Sequence, residues 1–541
     1  MKRIIYALSI LAFMATGLSA QAQSRNFTLG QWVEIHNAIL KELNRSYVDS
    51  LEVGRIEREG VDAMLDALDP YTLYVPEEEQ EDFQMMLTST YGGIGALIYK
   101  PEVDGNVFIN EPYAGSPAAK SGLRCGDQIL EIDGVSTHGL TASESSDKMR
   151  GKPGTKVVFK VKKVYTGNIE DVKVTRERIV LPSVEYTGML NAEDGYIMLS
   201  KFTDGVWRDV RNSFFKLKMQ GMKRLVLDLR GNGGGLMTEA VNIVSLFVPK
   251  GSVVVSSKGK TSGSNATYRT STDPIDTEIP IVVLVDSGSA SASEIVSGAL
   301  QDYDRATIIG TRTYGKGLVQ SIRPLPYDGQ IKVTTAKYYT PSGRCVQAID
   351  YSHRNDDGSV GHIPDSLTHE FKTAHGRTVR DGGGITPDVQ LKFREYSRLT
   401  YSLVTYGIIE QYALRFVRSH EWIPPVEEFQ LDQNDYEDFV QFAKESEFDY
   451  RSSAKTYFDR AKEELKRDGL DEVMKEQLDA LDNMINMDKE DFLYLKSAEI
   501  IPFIEEEIAV RYYFQRAGVQ IRIRYDDALR EALSAERIKQ Y

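Results

Sequence analysis

The stretch Ser287-Gly-Ser289-Ala-Ser291-Ala-Ser293-Glu294 carries a hydroxyl at every second position and runs into SEIVSGALQD, which is patterned as a helix. It follows the apolar run IPIVVLVD (279–286), so these serines fall at a strand-to-helix turn. A hydroxyl there lies beside backbone N–H groups that have no intrahelical partner, and the helix dipole favours the negative charge that develops on a nucleophile. Serine is also a preferred helix cap, so capping alone accounts for three of these four as well. A second loop, Gly231-Asn-Gly233-Gly234-Gly235, follows LVLDLR (225–230). Repeated glycine lets backbone donors approach a phosphate or the oxyanion of an acyl-transfer intermediate. The third feature, Gly310-Thr-Arg-Thr-Tyr-Gly315-Lys316-Gly317, is one residue short of a nucleotide-binding P-loop. Gly317 has no hydroxyl for Mg²⁺, and LVQSIRPL (318–325) alternates like a strand where a P-loop must open a helix. A lysine between two glycines and apolar runs is suited instead to burial, which disfavours its ammonium form and makes a base of it. Serine with a lysine base is a variant of the catalytic-triad logic.

The missing residues narrow the chemistry. The seven histidines stand at 36, 138, 353, 362, 369, 375 and 420, so none falls between Gly139 and Ser352. A Ser–His–Asp triad built on the loops of that region is excluded. No His-Glu-x-x-His or paired-Cys spacing occurs, the four histidines at 353–375 read as loop residues, and neither metal nor cofactor is expected. Ser452-Ser-Ala-Lys455 has the Ser-x-x-Lys spacing of penicillin-binding enzymes without their other elements, and reads as a surface turn. Cys125 and Cys345 fall in different expected domains and read as lone thiols.

At 541 residues the chain is too long for one core, and its 41% apolar and 27% charged residues are those of an ordinary globular protein. A net charge of −14 supplies no basic face for phosphates, which argues against a nucleic-acid partner. Residues 1–22 read as a cleaved secretory leader, with Lys2 and Arg3, an apolar run from Ile4 to Leu18, and small residues at Ala20 and Ala22. Residues 23–90 are helical in pattern, with Trp32, Ile35, Ile39 and Leu43 at helix spacing. Residues 91–165 hold short alternating runs such as ALIYK and KVVFKVKK between turn residues, the pattern of a small β domain. From 166 to 394 apolar strands alternate with small-residue loops and helices, which predicts a layered α/β core; the polar stretch near 350–384 reads as a long loop crossing it. Residues 395–541 are helical in pattern, and Leu470, Val473, Met474, Leu478 and Leu481 form a one-sided stripe read as core.

GSASASEIVSGALQDYDRATIIGTRTYGKGLVQ (288–320), DLRGNGGGLMTEAV (228–241) and TAKYYTPSGRCVQ (335–347) together resemble the carboxyl-terminal processing peptidases, tail-specific serine proteases of the S41 family. The resemblance covers roughly residues 90–390. It implies a multidomain α/β protein: a layered α/β Ser–Lys protease core with an inserted β-rich PDZ domain and helical N- and C-terminal regions. Carried over position by position, Ser291 is the nucleophile, Lys316 the general base and Gln320 the residue that orients it. The oxyanion hole falls at the Gly234–Gly235 backbone with the amide of Ala292, and Glu294, Asp302 and Thr313 support the site. The family often has Asn-Pro-Gly-Gly where this chain has Asn232-Gly233-Gly234-Gly235, which removes a rigid turn. Tyr91-Gly-Gly93-Ile94-Gly95-Ala96 resembles the carboxylate-binding loop of a PDZ domain, and SPAAKSGLRCGDQILEIDG (116–134) its central segment. A tail would add there as a strand, its carboxylate on the amides of Gly93, Ile94, Gly95 and Ala96. In relatives the PDZ domain gates the protease and an arginine helps align the site; Arg150 in RGKPGT matches that arginine and is the expected gating residue. The expected partners are proteins or peptides with apolar C-termini, and a homodimer or an adaptor through the helical ends; the expected location is the periplasm. The rival reading is a catalytically silent scaffold that captures exported proteins by their tails.

Overall fold

RLVLD (224–228) and IVVLV (281–285) are apolar without alternation. In the computed structural model of the chain they are adjacent parallel strands, with Leu225–Leu227 and Val282–Leu284 buried on both faces, as such runs require. The structure describes residues 26–100, 105–355, 359–391, 395–446, 448, 453–485 and 489–534. The expected leader over 1–22 lies outside them. The chain divides into two units, one reaching Val75 and including Ile322–Val333, the other comprising Pro76–Ser321 and Thr334–Tyr541.

In the larger unit the core sheet has the strand order Val184–Met189, Asp194–Leu199, Arg224–Asp228, Ile281–Val285, Thr307–Gly310, Val389–Gln390. The first pair is antiparallel and the rest are parallel. Alternate side chains face opposite ways. Leu225, Leu227, Ile281 and Val283 join Phe214, Ile243 and Val296 on one face. Val226, Val282 and Leu284 meet Val519, Leu529 and Ala532 on the other, so the helices Gln515–Tyr525 and Asp527–Leu533 cover the second face. Burying Val519 and Leu529 there stabilises by roughly 1.5–3 kcal/mol each.

The β-rich domain is a sheet in the order Ala96–Tyr99, Val107–Pro112, Gln128–Ile132, Lys156–Lys162, Ile169–Thr175, so its last strand extends past the expected boundary at 165. Its helix Ala142–Met149 opens with a capping box: Thr141 accepts from Glu144 N–H at 3.1 Å and Glu144 accepts from Thr141 N–H at 2.7 Å. The C-terminal helices build their own core from Leu403, Tyr412, Phe439 and Ile504.

Two expectations are corrected. The stretch 350–384 is not a long loop but largely two short hairpins, Ile349–Arg354 with Val360–His362 and Glu370–Lys372 with Thr378–Arg380. Three of these four strands have three residues, too short to show a period. The stripe from Leu470 to Leu481 is not core: Gly469, at φ +70°, ends the helix Ser453–Arg467, and Leu470 and Val473 are 43% and 78% exposed before the next helix begins at Lys475. Ser453 likewise starts a helix rather than a surface turn, and Lys455 pairs with Asp459 and Asp482; Ser452 lies outside the described residues.

In the smaller unit residues 26–46 are helical, as their spacing predicts, and Val53–Asp66 forms a second helix. Leu73–Val75 pairs antiparallel with Gln330–Lys332. Trp32 and Ile39, on the apolar stripe, are 63% and 51% exposed. No helix among the described residues is long and apolar enough to cross a membrane.

Candidate active site

Three of the four alternating serines, Ser289, Ser291 and Ser293, differ in what their surroundings ask of them. The Ser289 hydroxyl donates to the Leu229 carbonyl at 2.7 Å and accepts from Asp286 N–H at 3.0 Å. The Ser293 hydroxyl donates to the Asn232 carbonyl at 2.8 Å. Both are fully buried and lace the serine loop to the glycine loop. Ser291 stands between them at φ +57°, ψ −111°, a conformation that strains any residue with a Cβ, immediately before the helix Ala292–Asp302. Strain of this kind at a strand-to-helix turn holds a side chain out from the backbone.

Glu294 ties this turn to the lysine loop. Its side chain is 0% exposed, and one oxygen, Oε2, accepts from both Ser291 N–H and Lys316 N–H at 2.8 Å. Those two nitrogens therefore lie no further apart than the two bonds laid end to end. The other oxygen accepts from the Thr313 hydroxyl at 2.6 Å and from Gly315 N–H at 2.7 Å. Burial pushes the Glu294 carboxyl up, against the pull of these four donors. Thr313 in turn accepts from Ile385 N–H at 2.6 Å. Gly315 is at φ +86°, where an added Cβ would lie 2.4 Å from Ala348 Cβ, so only glycine admits this approach. Gly317 N–H donates to Gln347 Oε1 at 2.7 Å. A strand, Leu318–Pro324, follows Lys316, so no helix N-terminus is present for a phosphate.

The glycine loop meets the same turn. A Cβ on Gly234, at φ +101°, would lie 2.8 Å from Ser291 Cβ and 3.0 Å from Ala292 N. The Gly234 N–H donates to Asn232 Oδ1 at 2.9 Å. The backbone of Phe202 brackets Gly235 through Phe202 N–H to Gly234 O and Leu236 N–H to Phe202 O, which leaves the Gly235 amide outside that pairing. Asn232, 0% exposed, holds the loop by donating to the Leu199 carbonyl at 2.7 Å. At the loop entrance Tyr196 donates to Asp228 at 2.6 Å, and Arg230 spans Asp228 and Asp526.

The remaining predicted residues have other partners. Gln320 donates to Thr334 Oγ1 at 3.2 Å. Arg150 pairs with Asp82 at 2.6 Å and stands over the Tyr91 ring. Gly151 N–H donates to Gly92 O at 3.0 Å, which joins the Arg150 turn to the segment leading into Gly93. Ile94 is buried in the domain core; its carbonyl accepts from Ala118 N–H and that of Gly95 from Tyr113 N–H, both at 2.9 Å. Among the described residues Ala96–Tyr99 is an end strand whose one partner in the sheet is Val107–Pro112. Asp302, at the far end of the helix, pairs with Arg344 at 2.9 Å, both 1% exposed by side chain. Sequence reasoning did not single out Tyr338, whose hydroxyl donates to the Ser291 carbonyl at 3.2 Å, nor Arg344 and Gln347, though all three stand in TAKYYTPSGRCVQ. Cys125 and Cys345 are free thiols.

Comparison with known proteins gives the family. Residues 194–352 match the model of peptidase family S41, 108–163 that of a PDZ domain, and 399–535 that of a probable PDZ-protease C-terminal helical domain. A carboxy-terminal-processing protease of Bartonella bacilliformis is 36% identical over 316 residues, 58% of this chain and 71% of that protein. A probable CtpA-like serine protease of Staphylococcus aureus is 35% identical over 313 residues, 57% of this chain and 61% of that protein. The solved photosystem II D1 C-terminal processing protease is 27% identical, with 65% of this chain and 91% of that one covered at a TM-score of 0.35. The chain belongs to the carboxy-terminal-processing proteases of peptidase family S41, serine-type peptidases, here with a PDZ domain and a C-terminal helical domain.

Proposed function

We propose that the chain is an exported, periplasmic endopeptidase that takes protein C-terminal tails on its PDZ domain and cuts peptide bonds with Ser291 as nucleophile and Lys316 as general base. The observation that carries this reading is the shared carboxylate oxygen of Glu294, which accepts from the backbone of both residues and so holds the lysine loop against the serine turn. Lys316 takes the proton as Ser291 Oγ attacks the carbonyl carbon, and returns it to the departing amine as the acyl-enzyme forms. Water, giving its proton to the same lysine, then hydrolyses the ester. The amides of Gly235 and Ala292 donate to the developing oxyanion, the Gly234 N–H being held by Asn232 Oδ1, and Gln320 orients the lysine.

The tail adds along the open edge of Ala96–Tyr99, its carboxylate on the amides of Gly93–Ala96 and its last side chain in an apolar pocket. Arg150 gates the centre: its turn is bonded to Gly92, so a tail that moves the carboxylate loop moves Arg150 from Asp82. The exposed apolar stripe of residues 26–46 is the surface for a second copy of the chain or an adaptor.

The test uses the full chain with Ser291→Ala and Lys316→Ala, each given an unfolded reporter ending in an apolar tail and the same reporter ending in Asp-Asp. Cleavage by the wild type alone, faster for the apolar tail, is expected. Binding of the tail by all three with cleavage by none gives the silent scaffold instead, and cleavage by either variant at the wild-type rate refutes the dyad.

A further inference from the structure

The helix Asp527–Leu533 lies on the core sheet along the strand Arg224–Asp228. Leu529 and Ala532 pack on the face that carries Val226. The helix is pinned at both ends of that strand: Arg224 donates to the Leu533 carbonyl at 3.3 Å, and Arg230 Nη2 donates to Asp526 Oδ2 at 2.6 Å. Asp526 also caps the helix, accepting from Leu529 N–H at 2.8 Å through Oδ1. One carboxylate thus caps a helix of the C-terminal domain with one oxygen and grips the peptidase core with the other.

Arg230 is the last residue before the glycine loop. Its guanidinium is held by Asp228 on one side and Asp526 on the other, and its own N–H donates to Asp228 Oδ1 at 2.9 Å. The next residue, Gly231, donates its N–H to Asp286 Oδ1 at 2.8 Å, and the same oxygen accepts from Gly288 N–H at 2.9 Å. A shift of Arg230 is therefore passed both to the oxyanion loop and to the loop that carries Ser291. A cavity of about 590 Å³, lined by Asp228, Arg230, Gly231, Asp286, Tyr525 and Asp526 among others, lies beside the ion pair. The guanidinium has room to swing into it once Asp526 lets go.

We propose that Asp526 is a positioning residue of the peptidase: through Arg230 it holds the entrance of the glycine loop, so that the C-terminal helical domain is part of the catalytic unit. The inference rests on the reading of Ser291 and the glycine loop given above. Asp526 touches no reacting atom; it acts on the donors that meet the oxyanion, and its effect falls on kcat rather than on KM.

Asp526→Ser separates the two tasks of this side chain. Serine caps a helix about as well as aspartate but has neither the reach nor the charge to hold Arg230. In the full chain, D526S is expected to speed amide hydrogen exchange across residues 229–236 while exchange in the PDZ domain is unchanged. On the reporter with an apolar tail, kcat is expected to fall roughly tenfold or more, with KM within about twofold and the circular dichroism unchanged. In an Arg230→Gln background the same substitution is expected to add less than about twofold, because its route is already cut. Asp527→Ala, which removes an exposed ion pair with Arg530, is the control and is expected to match the wild type. Unchanged exchange across 229–236, wild-type kcat in D526S, or a full additional loss in the Arg230→Gln background each overturns the proposal. Ser291→Ala, run alongside, tests the underlying reading separately: persistent cleavage by that variant refutes the nucleophile and leaves the exchange result to judge Asp526.

Discussion

Glu294 offers the most direct perturbation of the candidate centre. Its two oxygens accept four donors in a site with no exposure to water: Ser291 N–H and Lys316 N–H on one, the Thr313 hydroxyl and Gly315 N–H on the other. Alanine removes both acceptor oxygens, and each of the four buried donors left unpaired costs about 1–3 kcal/mol, so Glu294→Ala is expected to lose about 4 kcal/mol or more of stability. It also frees the serine turn from the lysine loop, and a misplacement of about 1 Å lowers kcat roughly 100-fold. Glutamine keeps one acceptor oxygen and has the same shape. Its favoured orientation presents that oxygen to Ser291 and Lys316 and its amide to Thr313, whose hydroxyl can accept. Gly315 N–H then goes unpaired and the Thr313 hydroxyl proton loses its acceptor, a loss of about 2 kcal/mol or more, lessened because burial already opposes the charge on this carboxyl. Glu294→Gln is therefore expected to retain kcat within about tenfold of the wild type while Glu294→Ala loses it. Steady-state cleavage of an unfolded apolar-tailed reporter and denaturant unfolding of the three proteins give both quantities. An alanine variant with wild-type kcat and midpoint would refute the coupling role of Glu294, as would a glutamine variant as inactive as the alanine one.

Two further outcomes are expected. Gly234→Ala would put a Cβ 2.7 Å from the Ala290 carbonyl and 2.8 Å from Ser291 Cβ at φ +101°, so its kcat should fall by about 100-fold, whereas Gly233→Ala, with nothing within 4 Å of the added atom, should cleave like the wild type; equal rates for the two would contradict the packing of this loop. Burial opposes the charge on Glu499, yet bonds from Ser397 and Lys496 outweigh it and bring the carboxyl from its ordinary 4.5 to about 2. A depressed carboxyl stabilises the fold above its unfolded value and loses that contribution as the pH falls through its folded value. Glu499→Gln should therefore lower unfolding free energy by about 1 kcal/mol at pH 7, after solvent screening, and by nothing near pH 2. Urea midpoints at both pH values check this, and an equal difference at the two would count against it.

Much of this protein is legible in local pattern. LVLDLR and IPIVVLVD declare buried parallel strands because they are apolar without alternation, and the runs of 91–165 declare a β domain because they alternate. The absence of histidine between Gly139 and Ser352 and the setting of Lys316 point to serine–lysine chemistry before any fold is known. Short elements and surface stripes are less legible. Three of the four strands in the two hairpins of 349–380 have three residues, too brief to show a period, and the Leu470–Leu481 stripe has the right spacing but does not lie on one helix, since Leu470, Val473 and Met474 precede the helix that starts at Lys475.

Composition and spacing determined which loops matter, and they narrowed the serines to three. Only the tertiary structure separates those three: Ser289 and Ser293 spend their hydroxyls on the carbonyls of Leu229 and Asn232, 60 and 61 residues away in sequence, and Ser291 alone takes the strained turn. The same holds for the C-terminal helices. Their amphipathic pattern shows that one face must be covered but not by what. That the face of Leu529 meets Val226, and that Asp526 reaches Arg230 across 296 residues of chain, follows from the chain's path through space, which a local pattern does not encode.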